Sequence, residues 1–201
     1  MELCDGRIFW DAAIPEMNSN AERTQAYEHM NRVLAAIHSV DINAVGLSDY
    51  GKPGNYFERQ LSRWSAQYKA SEIKPIPAMD QLIEWLDNNM PEDDGRVSLV
   101  HGDFRLDNMI FAPKESKIIA VLDWELSTLG HPFADLAYQC MQLRMPASSS
   151  VKSGNMSGLA GINRASLGIP SEKEYVASYC EKMGIDKIDH WAFYLAFSFF
   201  R

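Results

Sequence analysis

At 201 residues, with 46% apolar and 23% charged side chains, the chain is long enough for one globular domain or for part of a two-lobed one. A formal charge of -8, with nineteen scattered Lys and Arg residues, speaks against a nucleic-acid binder, which gathers basic side chains against phosphates. No apolar run reaches membrane-spanning length and no leader layout opens the chain. Cys4, Cys140 and Cys180, odd in number and without metal-ligand spacing, predict free thiols and a soluble protein of a reduced, cytoplasmic compartment.

In chain order, Asn18-Ser-Asn20 caps a helix of roughly twenty residues, with Tyr27, Met30, Leu34 and Ile37 on one face and His38, a packing residue, at its end. The turn residues of Asp49-Tyr-Gly-Lys-Pro-Gly54 predict a loop. Phe57, Leu61, Trp64 and Tyr68 stripe a second helix, and Pro75 and Pro77 precede a third that carries Met79, Leu82, Ile83 and Leu86. Short strands follow over Val97–Val100, Met109–Ala112 and Ile118–Leu122, then a helix over 132–143. The Ser-, Gly-, Ala- and Asn-rich stretch 146–170 predicts a long surface loop. Two closing helices lie near 171–183 and 188–201, the last so aromatic that it needs partners on most faces. Both ends read as cut from something longer.

The polar residues concentrate in one window. His101-Gly-Asp-Phe-Arg-Leu-Asp-Asn108 joins the first two strands, and Asp123-Trp-Glu125 ends the third. Carboxylates and an amide oxygen at strand ends are the hard oxygen donors that Mg²⁺ prefers. A further carboxylate beside them can take a proton from a hydroxyl, which together describes phosphoryl transfer. Taken singly, Asp103, Asp107 and Asp123 read as turn or cap residues.

As a set they match a signature. His101-Gly-Asp103, four residues and Asn108 resemble the catalytic loop of aminoglycoside phosphotransferases and choline kinases, which parallels the protein-kinase loop. Four fixed residues arise by chance in a chain of this length roughly once in a thousand. Gly6-Arg-Ile-Phe-Trp10, Tyr50-Gly51, Arg59 with Trp64, and Val121–Pro132 with Asp135-Leu-Ala137 extend the likeness to nearly the whole chain. They resemble the phosphotransferase domain found alone in bacteria and fused to some acyl-CoA dehydrogenases.

The resemblance implies an α+β, protein-kinase-like fold, of which residues 1–201 are the C-terminal lobe only. That lobe is mainly helical with a few short central strands, the N-lobe with its phosphate-covering loop and lysine being absent. Residues 1–5 become a hinge strand, with Met1, Glu2 and Leu3 at the nucleotide, and 97–125 carry the catalytic and metal-binding loops. The implied cofactors are Mg²⁺ and ATP. Asp103 is the implied base, Asn108 and Asp123 the metal and nucleotide ligands, and His101 a supporting residue of the loop. Asp135 braces the loop through its backbone, and Arg105 and Glu125 neighbour the substrate or metal. The partner is a small-molecule hydroxyl acceptor, with a hydroxyacyl-CoA or hydroxy acid suggested by the dehydrogenase association. The negative charge is weak support for a cationic aminoglycoside. Without an N-lobe the chain is expected to be a weak or inactive kinase. The alternatives are a non-catalytic pseudokinase or binding fragment, and a metal-dependent hydrolase in which His131 adds a nitrogen ligand. The oligomeric state is not legible.

Overall fold

The computed structural model describes residues 3–147 and 158–201. Helix α1 (Asn20–His38) starts where its caps stand: Ser19 Oγ accepts the Glu22 N–H at 3.2 Å, and the Glu22 carboxylate accepts the Asn18 N–H at 2.8 Å. Tyr27, Met30, Leu34 and His38 are buried on one face, with Ile37 half-buried against the same core. Helix α2 (Tyr56–Ser71) begins after Asn55, whose N–H is accepted by Asp93 of the 91–95 turn at 2.6 Å. Helix α3 (Pro77–Asn88) opens on proline, where the missing N–H costs nothing. Phe57 on α2 lies within 5.1 to 5.4 Å of the rings of His131, Phe193, Tyr194 and Phe197. The α2 stripe is core at Phe57 and Leu61, while Trp64 and Tyr68 are half-buried.

The strands β1 (Ser98–Val100), β2 (Met109–Phe111), β3 (Ile118–Val121) and β4 (Thr128–Gly130) form two separate antiparallel pairs. Met109 faces Val121 in the β2–β3 pair, and Val100 faces Thr128 in the β1–β4 pair. The sequence predicts the first three strands and not β4. Thr128–Gly130 has one large apolar residue and no apolar run to mark it, and its extended form goes with the pairing to β1.

This topology does the positioning. The loop 101–108 leaves β1 and enters β2, and the segment 122–127 leaves β3 and enters β4. Antiparallel pairing of β1 with β4 and of β2 with β3 therefore lays the two polar segments side by side. The Leu122 N–H donates to Asn108 O at 2.8 Å and joins them.

Arg7 pairs with Phe111 through two 2.8 Å hydrogen bonds at the edge of β2. Leu3–Asp5, from the expected hinge strand, carry no strand pairing, and Leu3 is 93% exposed. Met1 and Glu2 lie outside the described residues.

Helix α4 (Phe133–Met141) follows β4 and is almost wholly buried. Of the expected loop over 146–170, residues 148–157 lie outside the described residues. The remainder is neither all loop nor all surface. Pro146 bridges Ala160, Leu159 and Ile169 are buried, and a single helical turn, α5 (Arg164–Leu167), sits between. Its cap Asn163 and its terminator Gly168, at φ 73°, both read as turn residues in the sequence, which hides the turn they delimit. Helix α6 (Glu172–Met183) opens on a Ser171–Glu174 capping box, and α7 (Trp191–Phe200) packs on α4 and α3. The aromatic closing helix thus finds partners on several faces, leaving Phe199 exposed. Among the described residues no helix is long and apolar enough to cross a membrane.

Candidate active site

Loop 101–108 is held first by its backbone. Gly102 has φ 86°, and a Cβ there would come within 2.5 Å of the Leu126 carbonyl oxygen, so both torsion and space demand glycine. Asp135, in the first turn of α4, is completely buried. Its Oδ2 accepts the His101 N–H at 2.6 Å and its Oδ1 accepts the Gly102 N–H at 2.9 Å. Behind it, His38 Nε2 lies 3.4 Å from Oδ2 and His38 Nδ1 lies 2.7 Å from the Tyr179 hydroxyl. With the hydrogen on Nε2 pointed at Asp135, Nδ1 accepts from Tyr179 and the chain of bonds is complete. Burial pushes the Asp135 carboxyl up, but the His38 contact and the two backbone N–H groups outweigh it and hold it below the usual carboxylate range. His38 is therefore more than a packing residue.

His101 is fully buried and committed to backbone. Its Nε2–H donates to Leu122 O at 2.8 Å, its Nδ1 accepts the Asp103 N–H at 3.2 Å, and the Trp124 ring lies 4.6 Å from its own. Asp103 is half-buried. Asn108 Nδ2 donates both to its Oδ2 and to its carbonyl oxygen at 2.9 Å. Arg105 Nε sits 3.4 Å from the same Oδ2 without hydrogen-bond alignment, and Arg105 Nη2 lies 3.1 Å from Asp107 Oδ2. Burial raises the Asp107 carboxyl, Arg105 opposes it, and the charges of Asp103 and Asp123 add to the rise. Those three carboxylates therefore share one electrostatic neighbourhood. Tyr138 of α4 faces Asp103, and burial followed by that carboxylate pushes its phenol up.

Asp123, two residues past the end of β3, lies in the left-handed region at φ 64°, uncommon for a residue with a side chain and found where surrounding structure imposes it. Asp123 and Glu125 are both exposed, and neither carboxylate has a hydrogen bond or ion pair among the described residues. Asn108 spends its amide nitrogen on Asp103, which leaves its amide oxygen uncommitted. These two hard oxygens suit Mg²⁺, which keeps several waters and takes few protein ligands. Among the described residues no group of three His, Cys, Asp or Glu could hold a metal. His131 stands apart from this cluster: its Nε2 is 3.2 Å from Asp94, and its ring packs on Phe57, Phe133 and Tyr194.

Sequence reasoning missed Tyr138, Tyr179 and Arg201. Arg201 Nη2 donates to the Gly102 carbonyl, with its guanidinium 5.7 Å from the Tyr138 ring centre and 6.0 Å from that of Trp64. A Tyr on an apolar helix and an Arg after an aromatic run carry no signal of their own.

Residues 1–168 match the family model described as "Phosphotransferase enzyme family". The chain is 48% identical over 201 residues to acyl-CoA dehydrogenase family member 10 of Mus musculus, covering 100% of itself and 18% of that protein. It superposes with a TM-score of 0.91 on a crystal structure from Ralstonia eutropha JMP134, provisionally described as an aminoglycoside phosphotransferase. Identity there is 52%, over 100% of this chain and 59% of that one. Aminoglycoside phosphotransferase APH(3'')-Id from Streptomyces rimosus, in complex with ADP and streptomycin, gives a TM-score of 0.58 at 15% identity. It covers 89% of this chain and 63% of that one, and the likeness extends to the fold alone. The helices, the few short strands and the loops they bring together are those of a kinase-like fold, and the chain belongs to the phosphotransferase enzyme family.

Proposed function

We propose that the chain is the C-terminal, catalytic lobe of an ATP- and Mg²⁺-dependent phosphotransferase acting on a small-molecule hydroxyl. The observation that carries this reading is the Asp103 carboxylate, clasped by Asn108 at 2.9 Å, on a loop that the Leu122 N–H ties to the segment of Asp123 at 2.8 Å, in a chain of the phosphotransferase family. Asp103 takes the proton of the acceptor hydroxyl while the acceptor oxygen bonds to the γ-phosphorus of ATP and the bond from that phosphorus to the ADP oxygen breaks. Asn108, through its amide oxygen, and Asp123 hold Mg²⁺, which when bound neutralises and aligns the phosphates. His101 and Asp135 keep the loop in place, and Arg105 stands between Asp103 and Asp107. Glu125 neighbours the acceptor or the metal, and Leu3 meets the nucleotide.

Likeness to a protein named for the acyl-CoA dehydrogenases supports a hydroxy acid or hydroxyacyl-CoA as acceptor and a cytoplasmic setting is consistent with free thiols. A second reading, a non-catalytic binding fragment, draws on one fact. Among the described residues no lysine pairs with Asp103, Asp107 or Asp123, so the cation that usually meets the nucleotide phosphates would have to come from elsewhere.

The test is ADP formation by a protein that carries this chain together with an N-terminal lobe. Hydroxyacyl-CoAs, hydroxy acids, choline and aminoglycosides serve as acceptors, with and without Mg²⁺. ADP that appears only with an acceptor and Mg²⁺ supports transfer. ADP without any acceptor points to hydrolysis, and none with nucleotide still bound points to the binding fragment.

A further inference from the structure

The peptide group between Gly102 and Asp103 is gripped from two sides. Its N–H, belonging to Asp103, donates to His101 Nδ1 at 3.2 Å, and its C=O, belonging to Gly102, accepts from Arg201 Nη2. One residue earlier, the Gly102 N–H is held by Asp135 at 2.9 Å. The Asp103 carbonyl has its own donor in Asn108 Nδ2 at 2.9 Å, so at this peptide it is Arg201 that holds the C=O side. Gly102 is also the one loop residue with a positive φ, 86°, and so the point where the backbone has most freedom to turn.

Arg201 is built into place. Its guanidinium lies 6.0 Å from the Trp64 ring of α2 and 5.7 Å from the Tyr138 ring of α4, which restricts the plane of its N–H fork. Tyr138 is the ring whose hydroxyl faces Asp103. Arg201 makes no ion pair among the described residues, so no carboxylate draws it away from the carbonyl. It follows directly on α7, and the loop is thereby tied to α7 through Arg201 as it is tied to α4 through Asp135.

We propose that Arg201 is a positioning residue: by holding the Gly102 carbonyl it sets the rotation of the peptide that carries Asp103, and with it the direction of that carboxylate. The inference rests on the reading of Asp103 as the base. Its test reads backbone protection rather than turnover, so a failure of that reading and a failure of this one remain distinguishable.

Hydrogen exchange followed by mass spectrometry on the folded chain compares wild type with Arg201→Gln and Arg201→Lys. In Arg201→Gln the amides of 101–104 should exchange roughly 10- to 100-fold faster, the effect of losing one charge-assisted hydrogen bond, while peptides of α1 and α6 stay unchanged. Arg201→Lys, which can still donate to the carbonyl but cannot lie flat against the rings, should restore part of the protection. Unchanged exchange of 101–104 in Arg201→Gln would overturn the proposal. So would a uniform acceleration across the molecule, which would make Arg201 a general support of α7. If Arg201→Gln proves poorly folded, Trp64→Leu, which removes one ring and leaves the arginine, must show the same local acceleration or the proposal fails.

Discussion

Asp103 meets Asn108, Arg105 and Tyr138 at once, and an amide in its place would keep the shape and lose the proton acceptor. In a lobe-complete protein, Asp103→Asn should lower transfer at least ~100-fold while Mg·ATP binding by calorimetry stays nearly intact. Retention of more than about a tenth of wild-type turnover would sink the assignment of the base. Gly102 makes a second demand that a single residue satisfies. Gly102→Ala must place a methyl against the Leu126 carbonyl in a left-handed backbone, and should cost roughly 1 to 3 kcal/mol in thermal or urea unfolding. Tyr179→Phe removes the partner of a buried histidine nitrogen and should cost about 1 to 3 kcal/mol. If Tyr179→Phe unfolds with wild-type stability, the bonded chain through His38 to Asp135 adds nothing.

Between elements, Glu172 at the start of α6 joins segments that no strand connects. Its carboxylate accepts Arg144 Nε at 2.6 Å, Arg144 Nη2 at 2.8 Å and the Trp191 Nε1–H of α7 at 2.9 Å. Burial raises this carboxyl, but the Arg144 and Trp191 bonds win and hold it below its ordinary 4.5. A carboxylate whose folded value lies below its unfolded one adds stability above about pH 4.5, and that contribution fades as pH falls through the folded value. Arg144 is more than half exposed, so solvent screens its share and the total is about 1 kcal/mol. Glu172→Gln should therefore be less stable than wild type at pH 7, with a smaller deficit at pH 3. An equal deficit at both values would mean that shape rather than charge carries the junction. The strands teach the same lesson about locality. β1 to β3 announce themselves by apolar runs between polar turns, whereas β4 and α5 exist because a neighbour or a cap defines them.

At the scale of the whole molecule, the chain covers 59% of the Ralstonia structure and 18% of the mouse relative. Under the proposed function it supplies the base and two metal oxygens, and not a cover for the nucleotide phosphates. Calorimetric titration of Mg·ATP into this chain should then show binding weaker than about 100 μM, since two protein oxygens leave most of the Mg²⁺ shell to water and phosphate. Micromolar affinity, or acceptor-dependent turnover at enzyme-like rates, would show that this chain suffices.

The helices other than α5, three of the four described strands and the loop motif were readable in the sequence because each depends on residues that are near neighbours in the chain. Periodicity sets α1 to α4, Ser19 caps the start of α1 and Pro77 opens α3, and His101 to Asn108 fall within one loop. Asp135 as the brace of that loop came only through the family resemblance, and its supports behind the loop were decided by the fold. Asp135 comes from α4, His38 from α1, Tyr179 from α6, and Arg201 follows α7; Asp135 and Arg201 bond backbone groups, which any residue presents and no motif marks, and His38 and Tyr179 stand behind Asp135. A buried polar group must find a partner, but the sequence does not say which distant helix will bring it.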